Sequence, residues 1–211
     1  MKNIIKYTTI GTMICLLWAC ESDFIDREPL ARIGDNVLFS SEEGALQALT
    51  GCYDAMGRME IYRRIHYEIA DCLSDDSEVG GKAGNYEHAA SQDLSRFIST
   101  SDNETSYDYW KYNYRGIGRC NDVISRVPAI EMDEELKARI SAEAKFLRAL
   151  YHFNLNNAFG GVPLLDHALS QDEYYNINRS SRLEVYQFIV NEMTEIRDDL
   201  PVEYDAASFA D

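Results

Sequence analysis

The stretch from Asp133 to Leu165, DEELKARISAEAKFLRALYHFNLNNAFGGVPLL, constrains this chain more than any other. Leu136, Ile140, Ala144, Leu147, Tyr151, Leu155 and Ala158 recur at steps of three or four, the period of one buried helical face. Asp133 suits the N-cap, and Glu134 and Glu135 place negative charge at the positive end of the helix dipole. Gly160-Gly161 and Pro163 stop the pattern, because glycine accepts left-handed dihedrals and proline cannot extend the hydrogen-bond ladder. One long helix with a defined start and stop is predicted.

The flanking sequence predicts more helix. Ser40 and Glu43 have the spacing of a capping box, and Leu46, Leu49, Cys52, Tyr53 and Met56 follow as a buried face up to Gly57. From Met59 to Cys72, Ile61, Ile65, Ile69 and Leu73 repeat at steps of four, with Arg63 and Arg64 on the polar side, so the two helices form a hairpin. Asn103 to Val127 carries Tyr107, Trp110, Tyr114, Ile117, Ile124 and Val127 at helical spacing, and Pro128 ends it. This aromatic stripe reads as core, since rings at steps of three and four on a long helix most often face the interior. After a loop from Asp166 to Ser180, Ser181 and Glu184 form a second capping box ahead of Val185, Ile189, Met193, Ile196 and Leu200. The helix starts near Asn103 and Asp133 lie about 30 residues apart, close to the period of tetratricopeptide pairs, although that repeat's signature is absent.

Between Leu73 and Asp102 the periodicity stops, and glycine, serine and acid predominate. A structureless connection of this length is uncommon in a compact domain and is often functional. Tyr86, His88 and Phe97 offer flat stacking surfaces for a sugar, with Asp75, Asp76 and Asn85 available to its hydroxyls; the alternative is that Tyr86 and Phe97 pin the loop to the helices.

Charge and motifs exclude several functions. A net charge of -16 argues against nucleic acid, because phosphate contacts require clustered Lys and Arg. No nucleophile elbow, phosphate loop, zinc-protease motif or dinucleotide fingerprint occurs, and thirty-six carboxylates make chance acid pairs unavoidable. The expectation is a non-catalytic protein without metal or cofactor. His66, His88, His152 and His167 are dispersed, and Asp75-Asp76-Ser77-Glu78 lacks the ordered oxygens of a calcium loop.

Residues 1–19 read as an address. Lys2 and Lys6 precede an apolar run from Tyr7 to Trp18 that is short for a membrane span, and Leu17-Trp18-Ala19-Cys20 has the form of a lipobox. Cys20 is the predicted lipidation site, its thiol carrying the diacylglycerol that holds the chain to a membrane. Residues 20–39, interrupted by Pro29 and Gly34, form the lipidated tether and lead-in, and 40–211 form the helical domain. Cys52, Cys72 and Cys120 are too widely spaced to imply a disulfide framework or a zinc motif, and Cys52 and Cys120 read as buried thiols.

Glu143 to Tyr151 (EAKFLRALY) followed by Phe159 to Leu164 (FGGVPL) resembles the SusD/RagB family of Bacteroidetes outer-membrane lipoproteins. Weaker likenesses cover Ser41–Met56, Trp110–Val127 with Arg119-Cys120-Asn121, and Arg182–Pro201. The resemblance implies an all-α scaffold of tetratricopeptide-like helix pairs with long irregular loops. It also implies a cell-surface protein that captures oligosaccharide or another nutrient for a TonB-dependent (SusC-like) outer-membrane transporter. Glu21 and Asp23 after Cys20 resemble the acidic tags that send such lipoproteins to the surface. The family continues well beyond this length, so the expectation is an incomplete helical domain with exposed apolar surface around Met193 to Leu200. A lipid-anchored helical-repeat adaptor between proteins is the alternative.

Overall fold

The computed structural model describes residues 35–82 and 88–203; the predicted leader, Cys20, Asn85 and Tyr86 lie outside them. The chain divides after Val37, and the described residues from Leu38 onward make one compact helical unit. No β-strand occurs among the described residues. The helices are α1 (Asp35–Leu38), α2 (Glu42–Met56), α3 (Ile65–Cys72), α4 (Ala89–Ser95), α5 (Glu104–Arg126), α6 (Glu134–Phe159), α7 (Gln171–Asn176) and α8 (Arg182–Ile196).

Helix α6 is the centre of the stack, packed against α2, α5 and α8. Asp133 caps it by accepting a hydrogen bond from the Leu136 N–H (2.9 Å), and Gly160 ends it at φ 76°. Ile140, Ala144, Leu147, Tyr151 and Leu155 are buried as their spacing predicts. Each such large apolar side chain removed from water contributes roughly 1.5–3 kcal/mol, so this one face supplies much of the folding drive. A 3₁₀ turn at Val127–Ala129 reverses the chain from α5 into α6. The contacts Asn113–Asn154 and Asn121–Arg148 along that pair, and Arg148–Glu192 and Lys145–Glu195 along α6 and α8, make both pairs antiparallel. This is the all-α, tetratricopeptide-like pairing that the family resemblance implies.

Several details differ from the sequence reading. The N-cap of α2 is Ser41, not Ser40, and its Oγ accepts from the Gly44 N–H at 3.2 Å. The inward face of α2 is Gly44, Ala45, Ala48, Leu49, Cys52 and Ala55, while Tyr53 is exposed. Close approach selects these small residues: a Cβ on Gly44 would lie 2.0 Å from the Leu38 carbonyl oxygen. The helix expected over 59–72 is broken. Met59–Arg63 forms a π-helical turn, Arg64 leaves helical dihedrals, and α3 restarts at Ile65, leaving Leu73 exposed. Both predicted loops contain a short helix, α4 in the first and α7 in the second.

The inward face of α5 is also rotated by about one position, to Tyr109, Asn113, Gly116, Ile117, Cys120 and Val123. Gly116 fixes this register, because a Cβ there would lie 2.5 Å from the Tyr151 ring. The Tyr151 hydroxyl donates to the Cys52 carbonyl oxygen at 2.6 Å and so ties α6 to α2 across α5. Burial pushes the Cys120 thiol well up, and Cys52, Cys72 and Cys120 are buried free thiols.

Candidate functional site

Rotation of α5 turns the predicted core stripe partly outward. Tyr107 is 57% exposed, and Trp110 and Tyr114 are half-buried. They line a groove of about 610 Å³ whose other wall is Pro163, Leu165, Leu169, Tyr174 and Ile177, with Lys111 and Arg115 along its edge. Trp110 meets the Tyr114 ring at 4.9 Å between centroids and the Phe159 ring edge-on at 5.1 Å. These contacts fix the indole without covering it. Tyr174 is 68% exposed on the opposite wall. Aromatic faces presented side by side in a concave surface can stack on the apolar faces of sugar rings or other flat ligands.

The groove wall after α6 is irregular backbone held by helix side chains. Tyr114 donates its hydroxyl proton to the Pro163 carbonyl oxygen at 2.8 Å, and burial raises its pKa, keeping that proton in place. Asn121 donates to the carbonyl oxygens of Leu165 (3.1 Å) and His167 (2.8 Å). Arg148 is buried, donates to Glu192 at 2.9 and 2.7 Å, to Asn121 Oδ1 at 2.6 Å and to the Asp166 carbonyl oxygen. The Leu165 N–H donates to His152 Nε2 at 3.3 Å, so Nδ1 carries the proton and donates to the Arg148 carbonyl oxygen at 2.9 Å. Burial lowers the His152 pKa to about 4, consistent with this neutral tautomer.

The two glycines serve different needs. Gly160 adopts the positive φ, and a Cβ on Gly161 would lie 2.2 Å from the Ser180 carbonyl oxygen, where the chain returns toward α8. Arg179 donates to the carbonyl oxygens of Phe159 (2.7 Å) and Gly161, satisfying the end of α6 with a cation. Helix α7 begins with a capping box, Ser170 with Glu173, and α8 with the predicted Ser181–Glu184 box. Hydrogen bonds from Ser170 and then His167 lower the Glu173 carboxyl to about 2, and Asp166 and Glu173 together raise the exposed His167.

A second, polar cleft of about 520 Å³ lies where α4 meets the start of α5. It is lined by Arg64, His88, Asp93, Asp102, Glu104 and Asp108, among others. Asn103 donates to the Ala90 carbonyl oxygen at 2.8 Å, and Ser91 donates to Glu68 at 3.0 Å, joining α4 to its neighbours. Desolvation raises the Asp108 carboxyl. Of the loop residues singled out by sequence, His88 lines this cleft. Asp75 and Asp76 are exposed elsewhere on the loop, and Phe97 is 64% exposed at φ 55°. The structure therefore does not bring the described candidates into one cluster. Sequence reasoning passed over the Trp110–Tyr174 groove; the signal it held was Gly116, which marks the true inward face.

Stacked antiparallel helix pairs, with an aromatic groove beside a pinned Gly-Gly-Val-Pro turn, define a helical binding scaffold. The family profile described as "Starch-binding associating with outer membrane" matches residues 23–209, and the chain belongs to this SusD-like family. It is 27% identical over 203 residues to SusD-like protein P25 of Formosa agariphila, covering 92% of this chain and 37% of that protein. A SusD-like protein of Bacteroides ovatus is 25% identical, with 95% and 36% covered. Among solved structures, a laminarin-binding SusD-like protein superposes with a TM-score of 0.70 at 28% identity, over 80% of this chain and 36% of that one. Surface glycan-binding protein A from Bacteroides fluxus gives 0.62 at 26% identity, over 74% and 33%. The chain thus spans about a third of the length of these relatives.

Proposed function

We propose that this is a non-catalytic, cell-surface lipoprotein that holds a glycan and delivers it to a TonB-dependent outer-membrane transporter. Anchoring is through Cys20, released as the N-terminus when residues 1–19 are removed, with residues 20–39 as tether. The observation that carries the reading is the Tyr107–Trp110–Tyr174 groove, a stacking surface on a scaffold whose relatives include a laminarin-binding protein and a surface glycan-binding protein. The loop residues Asp75, Asp76, Asn85, Tyr86, His88 and Phe97 are proposed as further ligand contacts from the neighbouring 73–102 segment. No helix among the described residues is long and apolar enough to cross a membrane.

Isolation of the native protein from outer membranes, with mass analysis of its N-terminus and identification of co-purifying chains, tests this reading. An acylated Cys20 and a large TonB-dependent barrel are expected. Recovery with soluble partners alone would favour the adaptor alternative. Turnover of a bound glycan, abolished by carboxylate substitution, would make the protein an enzyme.

A further inference from the structure

We infer that the α5 groove selects an anionic oligosaccharide, one bearing repeated carboxylate or sulfate groups; this rests on the glycan-binding reading above and names its ligand class. In a chain of net charge -16, an extended polyanion is repelled by most of the surface and needs a local line of cations. Helix α5 provides one: Lys111, Arg115 and Arg119 stand at steps of four, which spaces them about 6 Å apart along one side of the helix.

These cations differ in availability. Arg119 is engaged with Asp54 (3.2 Å) and the Gly51 carbonyl oxygen (2.6 Å). Lys111 and Arg115 lie over tyrosine rings instead, with Lys111 Nζ 5.4 Å from the Tyr107 centroid and Arg115 Cζ 5.1 Å from that of Tyr112. No salt bridge joins a carboxylate to either among the described residues, although the Lys111 charge favours the ionised form of Asp108 one turn before it. Ring contact orients a cation while leaving its N–H groups for an anion.

Position completes the case. Arg115 lines both the aromatic groove and a neighbouring cleft of about 570 Å³ that also contains Asp122 and the Asp54-paired Arg58 and Arg119, so the cation of Arg115 stands between two concave surfaces. A uronate or sulfated sugar has an apolar ring face and charged groups at its rim. Trp110 and Tyr174 fit the first, and Lys111 and Arg115 fit the second.

The test is calorimetry on the full chain with three probes of matched length: oligogalacturonate, a sulfated galactan oligomer and a laminari-oligosaccharide. At least one anionic probe is expected to bind about tenfold or more tightly than the neutral one, weakening as salt is raised. The carboxylate and sulfate arms identify which charged group is taken. The K111Q/R115Q pair should bring anionic affinity down to the neutral level, and Y174A should weaken it with both cations intact. Retained affinity in K111Q/R115Q, or equal binding of all three probes, overturns the anionic assignment and leaves glycan binding standing. Unchanged affinity in Y174A would mean nonspecific polyanion attraction and also overturns it. Absence of binding to any probe counts against both readings. Far-UV circular dichroism melts that match the parent chain establish that each variant is folded.

Discussion

Two segments of this protein lack helical periodicity, and they are held in opposite ways. The segment after α6, residues 160–181, is fixed by side chains reaching from three helices: the half-buried Tyr114 and buried Asn121 from α5, buried Arg148 and His152 from α6, and buried Glu192 of α8 through Arg148. The segment after α3, within its described residues 73–82 and 88–103, is tied chiefly by contacts of its own short helix α4. They include Gln92 to the carbonyl oxygens of Gly80 (3.3 Å) and Lys82 (3.5 Å), Ser91 to Glu68 and Asn103 to Ala90. An irregular segment is therefore as rigid as the buried polar groups its neighbours can commit to it, and its own composition says little about that. The contrast suits the proposed function, in which buried polar groups hold the aromatic wall of the groove in place.

The sharpest way to break this contrast is Arg148→Ala. The buried Arg148–Glu192 pair is fully hydrogen-bonded, and removing one partner strands a carboxylate away from water, at a cost of about 3–5 kcal/mol. Chemical denaturation should register that loss, and limited proteolysis should cut within 162–168 while sparing the α5–α6 turn. Because desolvating an ion pair is itself costly, the apolar double substitution Arg148→Met with Glu192→Leu should recover much of the stability yet leave the segment susceptible, since its carbonyl groups lose their donors. Recovery of both together would mean that packing alone positions the groove wall.

A smaller effect is expected from pH. Folding lowers His152 from an ordinary 6.5 to about 4, so the unfolded chain binds the extra proton first as the medium is acidified. Stability is complete above pH 6.5, declines as pH falls from there toward 4, and loses on the order of 3 kcal/mol from this group. Against burial, the Arg148 carbonyl oxygen and, more weakly, Asp166 on the segment after α6 favour the imidazolium, while the Arg148 guanidinium disfavours it. Phe188 of α8 meets the ring edge-on at 5.2 Å, and Glu192 lies beyond, engaged with Arg148. Histidine-to-glutamine substitution at 152 should flatten the profile between pH 6.5 and 4. An unchanged slope in that variant would assign the acid sensitivity to carboxylates instead.

What the sequence made legible follows from the range of each interaction. The limits of α6, the cap at Asp133, the Gly160 stop and the box at Ser181 depend on residues within one helical turn, and all were readable. The rotation of α5 and the small-residue face of α2 were not, because periodicity weights large apolar residues whereas close packing at Gly44 and Gly116 rewards the smallest. The exposed apolar surface expected at Met193–Leu200 lies earlier on α8 for the same reason. Leu183 and Val190 are 76% and 57% exposed, while Met193 is half-buried and Ile196 buried. The polar staple at Arg148 joins residues 44 positions apart, and no local pattern encodes a partner at that separation.

The least costly perturbation falls on the looser segment. Gln92 is buried, yet its side chain does no more than bridge two loop carbonyl groups, so Gln92→Ala should cost only about 1 kcal/mol, the net value of an ordinary hydrogen bond. The informative readout is local. Amide hydrogen exchange should accelerate over 74–82 and remain unchanged over 160–181, because opening of the first segment leaves the Arg148 network intact. If exchange rises in both segments together, the two behave as one cooperative unit, and the distinction between them is lost. If it rises only in the first, glycan affinity measured on the same variant separates their contributions. An unchanged affinity would place binding in the α5 groove, and a reduced one would bring the 73–102 loop into the site.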